Sequence, residues 1–176
     1  LGEFWGVSFF HHLYALSVRT AGFLMGVIFI GWAIGGPLIG AISDRMHNRK
    51  KLMMTSVLMS LCFLLMILFV PHLSFDVLLI LMFLYGFFNT GVALAYAVAG
   101  DIHSRAMVGM SVAFTNMVSI LVGALLQPLM GLMLDHYWAG GVLHGLKQYP
   151  LYAYRDVILL LPLSLLLSLF FLFFVQ

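Results

Sequence analysis

Side chains able to bind a polar solute are scarce in this chain, and three of them recur along one apolar stretch, residues 77–100. Tyr85, Asn89 and Tyr96 fall within about 40° of one another if this stretch is helical, because successive helical residues turn by about 100°. An amide in hydrocarbon costs free energy unless it is hydrogen-bonded. The stripe is therefore predicted either to line a water-filled cavity that admits a solute or to bond to a neighbouring helix.

A second polar stripe lies on residues 106–134, where Asn116 and Gln127 share one face together with Ser119 and Gly123. These amides also cost free energy in hydrocarbon unless they are hydrogen-bonded. Here the sequence favours hydrogen bonds between helices, with a solute cavity as the alternative.

Glu3 is the one acidic side chain that lies within an apolar stretch, and an intramembrane carboxylate is a functional candidate by default. The alternative is a carboxyl group hydrogen-bonded to an adjacent helix. Trp5 is predicted either to stack on a ligand or to fill the bundle. These two residues complete the candidate solute cavity.

The other chemistry-bearing residues do not form a recognisable catalytic or metal site. The seven His residues are scattered over several loops, and the single Cys62 lies in an apolar stretch. No nucleophile paired with a base and no phosphate-binding loop is visible. The net charge of +2 is too small for a nucleic-acid partner. We expect no metal, no cofactor and no enzymatic activity.

The composition places these residues in a membrane, because 64% of the chain is hydrophobic, 8% is charged and the mean hydropathy is +1.12. A bilayer core of about 30 Å needs about 20 apolar residues per helix. Five such stretches lack Asp, Glu, Lys and Arg: Ala21–Ile42, Leu52–Val70, Val77–Gly100, Ala106–Leu134 and Val157–Val175. The shorter apolar stretch 1–10 is predicted to be part of a sixth helix, so we expect the chain to be a fragment.

These stretches are too long and too uniformly apolar for barrel strands, so the predicted fold is an all-α, polytopic membrane helix bundle. Five of the eight Lys and Arg residues lie in loops 43–51 and 101–105. The positive-inside bias makes these loops, and with them the C-terminus, cytoplasmic.

Glycine spacing distinguishes the first complete helix from the others. Gly22, Gly26, Gly36 and Gly40 share one face, and Gly31 and Gly35 lie on the opposite face. Small residues allow helix backbones to approach closely, so this helix is predicted to pack on both sides.

The loop after that helix, Gly40-Ala-Ile-Ser-Asp44-Arg45-Met-His-Asn-Arg49-Lys50-Lys51, resembles the loop signature of the major facilitator superfamily of secondary transporters. His47 replaces the family's Gly. The segment Phe114-Thr-Asn116 followed by Gly123 to Asp135 resembles helix eleven of several members. The resemblance identifies residues 1–176 as a partial helix seven through helix twelve, the C-terminal half of such a carrier, with the N-terminal half absent.

The resemblance implies a mechanism and a different role for each helix. Helices seven and ten would line the central cavity, eight and eleven would contact the other half, and nine and twelve would face lipid. The latch residues would be Gly40, Asp44, Arg45, Arg49 and Lys50, with Asp44 accepting hydrogen bonds from an opposing helix N-terminus.

The predicted function is therefore transport of a small polar solute by a multi-pass carrier of the cell membrane, expected to be a bacterial inner membrane. The carrier would work by alternating access with proton or ion coupling. The alternatives are a membrane sensor or partner-binding protein on the same scaffold, and a half-size chain that forms a homodimer.

Overall fold

The computed structural model describes residues 6–14, 16–46, 48–138, 140–143, 146–147 and 149–174. This part of the chain forms an all-α bundle, which confirms the predicted fold class. The helices are α1 (Gly6–Tyr14), α2 (Val18–Met46), α3 (Arg49–Phe69), α4 (Phe75–Asn89), α5 (Ala93–Asp101), α6 (Val108–His136), α7 (Leu151–Ile158) and α8 (Leu160–Leu172). Two strands of two residues each, β1 (Val142–Leu143) and β2 (Leu146–Lys147), pair antiparallel in the loop after α6.

In the described part of the chain, five helical segments are long and apolar enough to cross a membrane, as the hydropathy pattern predicts. They are Val18–Met46, Arg49–Phe69, Phe75–Asp101, Val108–His136 and Tyr152–Leu172. The last segment begins five residues before the predicted start at Val157, so Arg155 and Asp156 lie inside it. Both charged side chains are exposed, on the first turns of the segment.

Local residues explain where α3 and α4 begin. The Asn48 side chain accepts a hydrogen bond from the Lys51 amide at 2.9 Å and caps α3. Ser74 accepts from the Val77 amide at 3.4 Å at the start of α4. Each cap satisfies an amide that has no partner within its own helix.

The third membrane segment is interrupted at its midpoint. A 3₁₀ turn at Thr90–Val92 separates α4 from α5, and the hydropathy pattern gives no sign of it. The Thr90 hydroxyl donates to the Phe87 carbonyl at 2.6 Å, and Gly91 lies against the Ser56 side chain. The interruption therefore coincides with a close contact between this segment and α3.

Each helix packs on particular neighbours. The α2 helix packs most extensively on α4, and α3 packs on α4 and α8. The α6 helix contacts α5 and α7. The buried core is apolar and includes Leu24, Leu64, Met82 and Leu134.

The structure brings together the helix ends that the charge pattern assigns to one side of the membrane. Arg49 at the start of α3 forms an ion pair with Asp101 at the end of α5, at 2.7 Å. The Lys50 ammonium donates to the Phe173 carbonyl, beyond the end of α8, at 3.0 Å. Loops 43–51 and 101–105 thus lie on the same side of the bundle as the end of α8.

Candidate functional site

The two glycine faces of α2 have different surroundings. A Cβ atom at Gly31 would collide with the Phe83 backbone of α4, and one at Gly35 would collide with the Phe87 backbone. Gly86 of α4 meets the Ile28 backbone in the same way. These three glycines let the α2 and α4 backbones approach closely.

The opposite face of α2 is open. A Cβ atom at any of its four glycines would have no neighbour within 4 Å among the described residues; these are Gly22, Gly26, Gly36 and Gly40. Within the described residues, α2 therefore packs closely on the Gly31 and Gly35 face only, and not on both faces as predicted. The large side chain of Phe29 lies on the same face and is exposed.

The α6 helix presents a second open surface. Met130 and Leu134, near its end, are its buried residues. Phe114, Met117, Ile120 and most of its other large apolar side chains are exposed. Since α6 contacts only α5 and α7 strongly, most of its circumference has no protein neighbour among the described residues.

Polar contacts join α6 to α5 at the end of the open surface. The Tyr96 hydroxyl donates to the Asn116 side-chain oxygen at 3.2 Å, and both side chains are at least partly accessible. The Ser111 hydroxyl donates to the Ala99 carbonyl at 2.9 Å. Gln127 is exposed 11 residues after Asn116, which places it on the same face and about 16 Å further along the helix.

Tyr85 and Asn89 occupy different environments from Tyr96. Tyr85 is 6% exposed and lies in the apolar core. Asn89 is half-buried and lines a cleft between α3, α8 and the 3₁₀ turn. The three residues of the predicted stripe therefore do not share one surface among the described residues. The 3₁₀ turn changes the angle per residue between Asn89 and Tyr96. Tyr85 and Asn89 both lie on α4, before the turn, and contact different neighbours.

A charge cluster joins α2, α3 and α5 at the end of the bundle that holds the loop between α2 and α3. The Arg49 guanidinium lies 2.7 Å from the Asp101 carboxylate and 3.6 Å from the Asp44 carboxylate. Asp44 keeps 72% of its side chain exposed. Gly40 lies on the open face of α2, and Arg45 is exposed in its last turn.

A second polar cluster surrounds Asp135 at the other end of the bundle. Its carboxylate accepts hydrogen bonds from Lys147 at 2.8 Å and from Tyr149 at 2.6 Å. Burial and the hydrogen bond to Asp135 raise the pKa of Tyr149 to about 12. The Lys147 ammonium also lies 4.8 Å from the ring centre of Trp138. This cluster fixes the end of α6 to the β-hairpin.

Two predicted cavity residues, Glu3 and Trp5, lie outside the described residues. Within the described ranges, no three His, Cys, Asp or Glu side chains are placed to hold a metal ion. The polar side chains on the open face of α6 are amides and a hydroxyl, those of Asn116, Ser119 and Gln127.

The fold is that of a multi-span membrane protein with two open helix faces and a charge cluster at one end. A family model, Major Facilitator Superfamily, matches residues 4–176. The chain belongs to this family of membrane transporters. No curated protein and no solved structure matches the chain significantly.

Several residues that shape the site are not predicted from the sequence. Asp101 completes the charge cluster, and its position at the end of a membrane segment, like that of Asp44, is the signal that could have found it. Gly86 makes the close contact with α2, but a lone glycine in an apolar helix gives no such indication. Ser60 is fully buried, and its hydroxyl has no hydrogen-bond partner among the residues that the structure describes.

Proposed function

We propose that this chain is the C-terminal half of a secondary active carrier for a small polar solute. The observation that carries the proposal is the hydrogen-bonded pair of Tyr96 and Asn116 beside the open surface of α6, with Gln127 further along. These groups supply donors and acceptors without a net charge. They suit a polar solute that must be bound reversibly near the middle of the membrane.

The N-terminal half of the same transporter is the proposed partner of the open faces. The accessible glycines of α2 allow a second helix to approach closely, and the apolar surface of α6 suits the same contact. Rocking of one half against the other would give alternating access to the solute site.

Asp44 is the proposed element of a latch between the halves. Its carboxylate is largely exposed, while Arg49 holds it near the end of α5 through Asp101. An exposed carboxylate can accept hydrogen bonds from the N-terminus of an opposing helix, where the helix dipole stabilises negative charge. We expect Asp44→Asn to change the rate of conformational exchange, measured with spin labels across the two halves. An unchanged rate would remove the latch from the mechanism.

Coupling to a proton or an ion is part of the proposal, with Glu3 as the candidate proton carrier of this half. We place the end of the bundle that holds Asp44, Arg49 and Lys50 in the cytoplasm, because the Lys and Arg residues concentrate there. The C-terminus would then also be cytoplasmic.

Uptake assays on the complete transporter test the solute path. Asn116→Ala and Gln127→Ala should each lower uptake about tenfold, with no loss of protein from the membrane, because each removes a hydrogen-bonding group. Ser119→Ala is the matched control, since the Ser119 hydroxyl already donates to the Thr115 carbonyl of its own helix at 2.9 Å. If all three variants transport normally, the polar face of α6 is not part of the solute path.

A further inference from the structure

Two adjoining clefts open at the end of the bundle opposite the charge cluster, because α3 begins in that cluster and ends beside the clefts. The smaller cleft, of about 280 Å³, lies between α1, the end of α3 and α7. The larger cleft, of about 620 Å³, continues along the loop after α3. Leu68, Phe69 and Arg155 line both clefts. No described lining residue belongs to α2 or α6, so the clefts are separate from the proposed solute path.

Arg155 is an exposed cation without an anionic partner in the described part of the chain. The ion pairs there use other carboxylates, those of Asp44, Asp101 and Asp135. Asp156 also lines the smaller cleft, but adjacent residues of a helix point about 100° apart. A hydrogen bond to Asp156 raises the pKa of Tyr137, so this carboxylate is used elsewhere. The Arg155 guanidinium is therefore available to an external anion.

The larger cleft suits the anion better than the smaller one. Its described lining includes no carboxylate, and its polar side chains are Tyr14, His72 and Arg155. The phenol and the imidazole can donate hydrogen bonds, and a guanidinium binds phosphate through two parallel hydrogen bonds. The three side chains therefore favour a phosphate group.

The position of the clefts favours a phosphate that is attached to a lipid. Arg155 is the fourth residue of the membrane segment Tyr152–Leu172, and Phe69 is the last residue of the segment Arg49–Phe69. Leu159 lies one turn further into the membrane than Arg155 and lines the smaller cleft. Phe69 and Leu159 are both exposed. A cation at a membrane boundary beside exposed apolar side chains matches the order of phosphate and acyl chain in a phospholipid.

We propose that the two clefts bind one phospholipid, with its phosphate on Arg155 in the larger cleft and an acyl chain along Phe69 and Leu159 in the smaller one. The bound lipid bridges the end of α3 and the start of α7. Lipid binding is measured separately from uptake, so its absence would leave the proposed transport function unaffected.

Native mass spectrometry of the complete transporter in maltoside micelles, titrated with dioleoylphosphatidylglycerol, tests the site. Arg155→Gln should raise the dissociation constant of the tightest lipid about tenfold, because it removes a charged hydrogen-bond donor. Arg19→Gln is the matched control and should bind like the wild type. Arg19 is also exposed and lies at the start of α2, at the same end of the bundle, but it lines neither cleft.

A second variant and two other probes separate the lipid from its parts. Phe69→Ala removes an exposed ring from both clefts and should weaken binding about threefold. Dioleoylglycerol, which has the same acyl chains without the phosphate, should bind about tenfold more weakly than the phospholipid. Inorganic phosphate in large excess should not displace the lipid, because it makes no apolar contacts.

Four results would overturn the phospholipid site. The first is a dissociation constant that Arg155→Gln leaves unchanged, and the second is equal weakening by Arg155→Gln and Arg19→Gln. Binding of dioleoylglycerol as tight as that of the phospholipid would indicate a purely apolar groove. Displacement by inorganic phosphate, with no effect of Phe69→Ala, would indicate a site for a free anion.

Discussion

The segment formed by α4 and α5 and the helix α6 have similar lengths and similar hydropathy, but they are packed very differently. In the most apolar window of each, 44% of residues are buried in α4–α5 and 11% in α6. The α4 helix contacts α2 and α3 over its length, whereas α6 is joined to the bundle at its two ends. Hydropathy alone therefore does not tell a central helix from one with an open surface.

Close contact between helix backbones occurs on one face of α2 only among the described residues. Gly31, Gly35 and Gly86 lie where α2 meets α4, and their missing side chains bring the backbones together. The glycines on the other face of α2 are spaced in the same way but meet nothing in the described chain. The same four-residue spacing therefore accompanies a close helix contact on one face of α2 and an open surface on the other.

The largest expected effect follows from adding one carbon atom to the packed face of α2. Gly31→Ala places a Cβ against the Phe83 backbone, and because backbone cannot rotate away, we expect a loss of about 3 kcal/mol or more. Gly26→Ala adds the same atom to the open face, where it meets no described residue, and should cost much less stability. Thermal unfolding of the purified transporter measures both. Equal effects of the two substitutions would show that the α2–α4 contact is not as close as described.

The next prediction tests whether the open face of α2 meets a protein partner. Gly36→Trp should leave the amount of protein in the membrane unchanged but lower uptake about tenfold, because a large side chain would block the approach of the other half. Leu65→Trp is the control, since Leu65 is an exposed residue on α3. Normal uptake by Gly36→Trp would indicate that this face is covered by lipid.

A smaller effect is expected where α5 and α6 meet. The Tyr96 to Asn116 hydrogen bond should couple the two side chains by about 0.6 kcal/mol, the average for such bonds between membrane helices. A double-mutant cycle of Tyr96→Phe and Asn116→Ala, measured by unfolding, gives this coupling free energy. Additive effects of the two substitutions would show that the bond does not stabilise the contact.

The smallest effect concerns the attachment of the other end of α6 and appears only in alkali. The pKa of Tyr149 is about 12, above the ordinary value of about 10, so folding favours the neutral phenol. Its contribution to stability is complete below pH 10 and is lost as the pH rises towards 12. Tyr149→Phe should remove the absorbance change at 295 nm of one tyrosine that ionises well above pH 10. A complete titration near pH 10 would contradict the raised pKa.

The five membrane segments, the helical fold class and the family can all be predicted from the order of the amino acids. A run of about 20 apolar residues has few stable solutions in a bilayer, since each backbone group needs a partner inside the helix. The charged loops also predicted which helix ends belong together, as the Arg49 and Asp101 ion pair shows. These properties depend on local composition, which is visible along the chain.

Which side chains share a surface depends on how the helices pack against one another. Helical geometry predicts one stripe for Tyr85, Asn89 and Tyr96. In the structure, Tyr85 lies in the core and Asn89 lines a cleft beside α3 and α8. Tyr96 follows the turn at Thr90–Val92 and contacts α6. The hydrocarbon of a bilayer is as apolar as the interior of a helix bundle, so an apolar pattern carries no signal for the buried face. Shape and the pairing of polar groups make that choice, and both arise between residues that are distant in sequence.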